Sequence, residues 1–153
     1  MIGRLYSTTI GAQSQSTAKT LIEAGAASDV VMLVERAWVS QSSTDTSENS
    51  NIKIERISIS GTGTDSSAAV APLNPGDTAY SGTLETNHSI EPTYSGGLLV
   101  EQGWNILSGF LWTPANDDEV IVLAPSALVG MSLDVGITAS DLSYGMTLRE
   151  IGN

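Results

Sequence analysis

Met131-Ser132-Leu133-Asp134-Val135-Gly136-Ile137 and Leu142-Ser143-Tyr144-Gly145-Met146-Thr147-Leu148 are the two runs that decide the fold class. In both runs the apolar side chains occupy every second position, which is typical of a β-strand with one buried face. Only the short link Thr138-Ala139-Ser140-Asp141 separates the two runs. Two alternating runs joined in this way predict an antiparallel hairpin.

Further strands are predicted upstream of this hairpin. Residues 30–39 form a nearly continuous apolar run, which is expected at the centre of a sheet. The isoleucines between positions 52 and 59 alternate but slip by one residue at Glu55-Arg56, which predicts a β-bulge. Residues 17–27 show some helical spacing, but Gly25 limits a helix to about two turns, so we expect a strand through Leu21 and a turn at Gly25. The other predicted strands are residues 2–10, residues 98–100 paired with 104–112, and residues 119–123.

Two stretches are expected to be loops. Residues 40–51 are almost entirely polar, and residues 61–95 contain so many glycines and prolines that they predict a long irregular connection. Neither a repeat nor a domain break is evident. We therefore predict an all-β fold in which residues 1–153 form a single domain, an antiparallel sandwich of about eight or nine strands that resembles a jelly roll.

Composition and charge restrict the possible functions. The formal net charge is -11, and the six Lys and Arg residues are scattered along the chain. Nucleic acid binding needs clustered cations, and an anionic membrane surface would repel the protein, so neither partner is expected. Cysteine is absent, which excludes a disulfide framework and thiolate chemistry. The first residues lack an apolar signal core, so synthesis in a host cytoplasm is expected.

The candidate catalytic and ligand-binding residues are weak. His88 is the only histidine, and Asp77 and Ser81 are near enough in sequence for a triad, but the Gly-x-Ser-x-Gly motif is absent. We expect His88 to lie in a loop and to be solvated. The run Asp117-Asp118-Glu119 lacks calcium-loop spacing, and Gly61-Thr62-Gly63 is not followed by the lysine or helix of a phosphate loop. Sequence therefore predicts no enzyme, no cofactor and no metal.

Aromatic residues are concentrated between positions 104 and 112. Trp104, Phe110 and Trp112 supply much of the aromatic area of the chain. They fit a pair of core strands, or a patch that becomes buried against another subunit, where aromatic residues are enriched. With Tyr80 and Tyr94 they are the candidate interface residues.

Three segments resemble a family of small virion proteins of tailed phages. The family's pattern is matched by the opening Gly3-Arg4-Leu5-Tyr6-Ser7, by residues 71–77 leading into 82–87, and by Glu101-Gln102-Gly103-Trp104-Asn105 through Trp112-Thr113-Pro114 to the ending Leu148-Arg149-Glu150-Ile151-Gly152. The sequence departs from the pattern after Pro114, where Ala115-Asn116-Asp117-Asp118-Glu119 replaces a run of acidic and basic residues.

The resemblance implies a head decoration, or cement, protein. Such proteins are small β-rich domains that assemble as oligomers on the outer capsid surface and clamp the major capsid protein. It therefore implies that this chain forms a homo-oligomer, a trimer or dimer, on the virion surface, without catalytic residues. Two alternatives remain open: another virion component, such as a head fibre, neck or tail adaptor, and a carbohydrate-binding β-sandwich.

Overall fold

The computed structural model describes residues 3–42 and 45–152, most of which lie in strands. Within these ranges two 3₁₀ turns, Ser67–Ala69 and Asp117–Glu119, are the only helical elements, and neither is long or apolar enough to cross a membrane. The strands, in chain order, are β1 (Arg4–Gln15), β2 (Lys19–Gly25), β3 (Val31–Gln41), β4 (Asn49–Ile59), β5 (Thr62–Asp65), β6 (Val70–Pro72), β7 (Thr83–Ile90), β8 (Thr93–Asn105), β9 (Phe110–Trp112), β10 (Ile121–Leu123), β11 (Leu128–Leu133) and β12 (Ile137–Ile151).

These strands form two antiparallel sheets of six strands each. The first sheet has the order β10-β3-β12-β1-β6, with β9 also beside β3, and the second has the order β5-β7-β2-β11-β4-β8. One cluster of buried side chains lies between the sheets and includes Leu21 and Met131 from the second sheet and Met32 and Tyr144 from the first. The predicted all-β antiparallel sandwich is confirmed.

The strand order is that of a jelly roll. The framework has eight strand positions in chain order. The sixth position is shared by β9 and β10, and the other seven are the single strands β1, β2, β3, β4, β8, β11 and β12. Both β9 and β10 lie along the same edge of β3, because β12 occupies its other edge. Numbered by chain position, the framework strands run 1-8-3-6 in the first sheet and 2-7-4-5 in the second, which is the double Greek key of a jelly roll.

An inserted segment, residues 60–92, separates the fourth and fifth framework strands. The prediction that residues 61–95 form a long irregular connection is wrong, because β5, β6 and β7 and the start of β8 lie within it, and the longest stretch without a strand is residues 73–82. Gly63 in β5 and Pro72 in β6 are tolerated because both strands lie at sheet edges, where a missing hydrogen bond costs little. The inserted strands β5, β6 and β7, together with the division of the sixth framework position into β9 and β10, raise the number of strands above the predicted eight or nine.

The predicted C-terminal hairpin is wrong. β11 lies between β2 and β4 in the second sheet, whereas β12 lies between β1 and β3 in the first. Residues 134–136 therefore carry the chain from one sheet to the other, and residues 138–141 belong to β12. The alternation nevertheless identifies the buried side chains of the second run, since Leu142, Tyr144, Met146 and Leu148 are fully buried. In the first run Val135 breaks it, because Val135 lies between β11 and β12 and is 57% exposed. A short polar link suits a hairpin and a crossing between sheets equally well. The predicted pairing of residues 98–100 with 104–112 fails likewise, because β8 and β9 lie in different sheets.

Predictions that depend on local sequence are confirmed. The run at residues 30–39 forms the interior strand β3, and the second predicted strand passes through Leu21 and ends at Gly25. The predicted bulge at Glu55-Arg56 is an exception. The β4–β8 pairing does shift register on both sides of Glu55, but the extra residues lie on β8, and β4 pairs regularly with β11 from Ile52 to Ile57. Residues 4–10 of the predicted N-terminal edge strand lie in β1, whose outer edge β6 partly covers. Ile2, in the same prediction, and residues 43 and 44 of the predicted polar loop lie outside the described residues.

Candidate functional site

The outer face of the first sheet carries apolar side chains that the core does not use. On β3 the side chains of Met32, Val34 and Val39 point inward and are fully buried, whereas Leu33 and Trp38 point outward and are half-buried. An antiparallel strand with one solvated face normally carries polar side chains on that face. The nearly continuous apolar run at residues 30–39 therefore reflects a strand that is apolar on both faces.

Neighbouring strands extend this surface. Leu111 of β9 pairs with Trp38, and Val122 of β10 pairs with Leu33. Residues directly opposite each other in an antiparallel pair lie on the same face. Leu111 is 56% exposed and Val122 is 47% exposed. We call Leu33, Trp38, Leu111 and Val122 the outer patch.

The outer patch has a depression and a charged border. Arg36, Trp38 and Leu111 line a shallow depression of about 460 Å³. Arg149 of β12 lies opposite Leu33 and forms a two-point ion pair with Glu35, in which Nη2 donates to Oε2 at 3.1 Å. An apolar centre beside fixed, paired charges is the usual composition of a protein–protein contact surface.

The aromatic residues that sequence singled out are placed differently. Trp104 and Phe110 belong to the core, with 4% and 3% exposure, so the prediction that these two residues form an interface is wrong. Their aromatic area is already buried between the two sheets. The sequence signal of an apolar surface is instead the nearly continuous apolar run of β3, because a strand with one solvent-exposed face should alternate apolar and polar residues.

Trp112, Tyr80 and Tyr94 are half-buried, and for them the interface role stays a prediction. The hydroxyl of Tyr80 donates to the carbonyl of Gly25 at 3.1 Å, and the hydroxyl of Tyr94 lies 2.6 Å from that of Thr20. Burial raises the pKa of both tyrosines. Both phenols therefore hold neighbouring backbone and side chains in place.

A second candidate site is a cluster of one histidine and two glutamates. His88 lies on β7 with a fully buried side chain, so the prediction of a solvated loop histidine is wrong. Its Nε2 lies 3.2 Å from Oε2 of Glu23 on β2 and 3.9 Å from Oε2 of Glu85. The structure does not assemble the triad considered from sequence, because Ser81 donates to Glu150 at 2.7 Å and Asp77 contacts Asn74.

The backbone brings these three side chains together. Glu23 and Glu85 face each other across the β2–β7 pair. In a regular strand, residues three apart point to opposite faces, but Asn87 has a positive φ of 57°, which breaks the alternation, so His88 converges on Glu85. A side chain at Gly61 would meet the His88 ring, since a Cβ there would lie 2.6 Å from Cδ2. Asn87 directly precedes His88, but the other causes, Glu23 and Gly61, are remote from His88 in sequence.

The acidic run 117–119 forms an exposed 3₁₀ turn. Asn116 caps it by accepting a hydrogen bond from the backbone N–H of Asp118 at 2.9 Å. Among the described residues, Glu23, Glu85 and His88 are the only group of three metal-binding side chains whose donor atoms lie together, all within 4.8 Å of one another. The acidic run is therefore a capped polar turn.

Comparison of the chain with protein-family models, with curated proteins and with solved structures finds no match.

Proposed function

We propose that this chain is a non-enzymatic structural protein of a phage particle, which binds the major capsid protein as a homo-oligomer and stabilises the shell from outside. The observation that carries the proposal is the outer patch. Trp38 and Leu33 point outward from β3, next to the edge strands β9 and β10, and Leu111 and Val122 on those strands are about half exposed. Exposed apolar area of this kind is stabilised when a second protein covers it.

Charge and fold are consistent with a role through contact. A net charge of -11 keeps free copies apart before assembly. The jelly roll supports many functions and does not by itself select one. The choice of a phage particle rests on the resemblance of residues 3–7, 71–87, 101–114 and 148–152 to small virion proteins. Acting through surface contact needs no catalytic group.

The first test locates the protein on the particle. Mass spectrometry of purified particles should find a copy number comparable with that of the major capsid protein, and reconstruction by electron microscopy should place the sandwich on the outer surface. Particles stripped of the protein should lose their genome at a lower temperature than complete particles. A few copies confined to a neck or tail, or equal heat resistance of stripped particles, would contradict the proposal.

The second test concerns the surface. Leu111→Glu and Val122→Glu place a carboxylate in the outer patch, and burying an unpaired charge is costly. Each variant should rebind stripped capsids at least about tenfold more weakly than the wild type. The matched control is Ile90→Glu, because Ile90 is 64% exposed but lies on β7 in the second sheet. If all three variants bind equally well, the outer patch is not the contact surface.

A further inference from the structure

The cluster of Glu23, Glu85 and His88 contains two carboxylates with insufficient positive charge around them. The side chain of Glu23 is 3% exposed and that of Glu85 is 31% exposed. Within the described residues, neither carboxylate has a lysine or arginine within 4.0 Å, and the only ionisable group of opposite sign beside them is His88. Like charges opposite each other across a strand pair are destabilising, and buried charges are normally paired or bound to a metal.

Backbone groups orient the two carboxylates. The N–H of Gly61 donates to Oε2 of Glu23 at 3.0 Å, and the N–H of Gly63 donates to Oε2 of Glu85 at 2.9 Å. The same two oxygens are those that face Nε2 of His88. Ligand atoms held from behind by hydrogen bonds in this way are typical of the surroundings of protein metal sites.

We propose that Glu23, Glu85 and His88 bind a divalent transition-metal ion, for which zinc is the best match, and that the ion fastens the inserted segment to β2. One imidazole nitrogen and two carboxylate oxygens form a donor set that zinc accepts, with bonds of about 2.0–2.1 Å, so ligand atoms in a tetrahedral site lie about 3.3 Å apart. The 3.2 Å separation of His88 Nε2 from Oε2 of Glu23 is close to this value. The 3.9 Å separation from Glu85 closes with a small movement of the more exposed side chain.

An ion bound at Nε2 of His88 would replace the present hydrogen bond between Nε2 and Oε2 of Glu23 with a bond from each of these atoms to the metal. Nδ1 of His88 is buried and has no hydrogen-bond partner within the described residues. When a metal takes the Nε2 lone pair, the ring proton resides on Nδ1, and no existing hydrogen bond at Nδ1 has to break. The partly exposed side of the site, at Glu85, leaves a path for the ion and for a water molecule as fourth ligand.

The location of the site gives the ion a structural role. Glu23 belongs to the framework strand β2, whereas Glu85, His88 and the N–H groups of Gly61 and Gly63 all come from the inserted segment. A metal held by these ligands joins two parts of the fold that are distant in sequence. The inference is independent of the proposed role on a phage particle.

Metal titration of the whole, chelator-treated protein tests the proposal. Zinc chloride should bind with a stoichiometry near one ion per chain in calorimetry, and a hundredfold excess of zinc over its dissociation constant should raise the melting temperature by about 5–10 °C. Cobalt(II) should give the visible absorption of a low-coordinate nitrogen–oxygen site. Calcium should have little effect because it prefers six or more oxygen ligands.

Variants separate this site from adventitious binding. Glu85→Gln removes a ligand from a half-exposed position with little risk to folding, and it should weaken zinc binding by at least about 100-fold. His88→Gln should do the same and abolish the cobalt spectrum. Glu101→Gln is the control, because it removes an exposed carboxylate outside the cluster. No binding near one ion per chain, or zinc binding that Glu85→Gln leaves unchanged, would overturn the proposal.

Discussion

Gly145 occupies a position in β12 where the neighbouring strands leave no room for a side chain. A Cβ at Gly145 would collide with the carbonyl oxygen of Thr8 on β1 and would lie 2.7 Å from the indole nitrogen of Trp38 on β3. The indole therefore lies over the backbone of β12. The absence of a side chain at Gly145 therefore leaves room for the indole of Trp38 in the outer patch.

Gly145→Ala should destabilise the protein by about 1–3 kcal/mol, the usual cost of overpacking. The physical reason is that the carbonyl of Thr8 is fixed by the sheet and cannot move away. Urea unfolding followed by circular dichroism measures the change. Gly11→Ala is the matched control, since a Cβ at Gly11 of β1 would have no atom within 4 Å, and it should change stability by less than about 0.5 kcal/mol. Equal effects of the two substitutions would contradict the steric explanation.

The burial or exposure of individual side chains was the feature of this structure least predictable from sequence. Trp104 and Phe110 could be recognised as apolar anchors, but sequence cannot tell whether such an anchor packs within its own chain or against another. His88 has the polar neighbours Asn87 and Ser89, and its burial arises from Glu23 and Gly61, which are remote in sequence. Long-range contacts of this kind leave no local pattern to detect.

At the level of elements, Glu48 ties the connection before β4 to the start of β12. Its carboxylate accepts hydrogen bonds from the hydroxyl of Thr138 at 2.6 Å, from its N–H at 2.7 Å and from the N–H of Ala139 at 3.2 Å. The hydroxyl of Thr138, followed by the two N–H groups, holds the pKa of Glu48 below its ordinary value. The ionised form of Glu48 therefore stabilises the fold.

The sign of this effect predicts a pH dependence. A carboxyl whose pKa is lowered by folding stabilises the protein above its unfolded pKa, and that contribution is lost as the pH falls through the folded pKa. Glu48→Gln should therefore lower the melting temperature at neutral pH, and its difference from the wild type should shrink below about pH 4. Asp117→Asn, in the exposed acidic turn, should show little difference at any pH. A deficit of Glu48→Gln that stays constant down to acidic pH would contradict this explanation.

Elements were predictable where their cause is local. Gly25 ends β2 where the sequence indicates it. The slip at Glu55-Arg56, by contrast, coincides with irregular pairing whose extra residues lie on the partner strand β8. Pairing partners were not predictable in the same way. Alternation in β11 and β12 identifies the buried side chains but is the same whether the two strands pair in one sheet or face each other across the core.

At the scale of the whole molecule, the inserted segment, residues 60–92, is an addition to a jelly-roll framework whose own strand order does not depend on it. Ile59 at the end of β4 pairs directly with Thr93 at the start of β8. The inserted segment leaves and re-enters the framework at adjacent points, and it adds β6 to the edge of one sheet and β5 and β7 to the edge of the other. The sequence predicted the sandwich class from strand patterns, but the short edge strands lie among glycines and prolines and were missed.

Replacing residues 60–92 with Asn-Gly should therefore give a chain that still folds cooperatively, since this pair favours a two-residue hairpin turn. Stability should fall by at least about 2 kcal/mol, because the fully buried Leu84 is lost with the segment. Far-UV circular dichroism and denaturant unfolding measure both outcomes. As a control, a glycine–serine replacement of the exposed residues 74–76 should change stability little. Absence of any cooperative transition in the shortened chain would show that the framework requires the insertion.

β8 lies at one edge of the second sheet, and its irregular backbone limits edge-to-edge association between copies of this protein. It has 13 residues, and a free edge of that length invites strand addition from a neighbour. Gly96, with a φ of 77°, and the repeated register shifts against β4 disrupt this edge from Thr93 to Val100, so that only residues 100–105 pair regularly. An incoming strand would lose register before gaining a long hydrogen-bonded ladder. Open-ended filaments are disfavoured in this way, and the protein can be crowded at high local concentration without polymerising edge to edge.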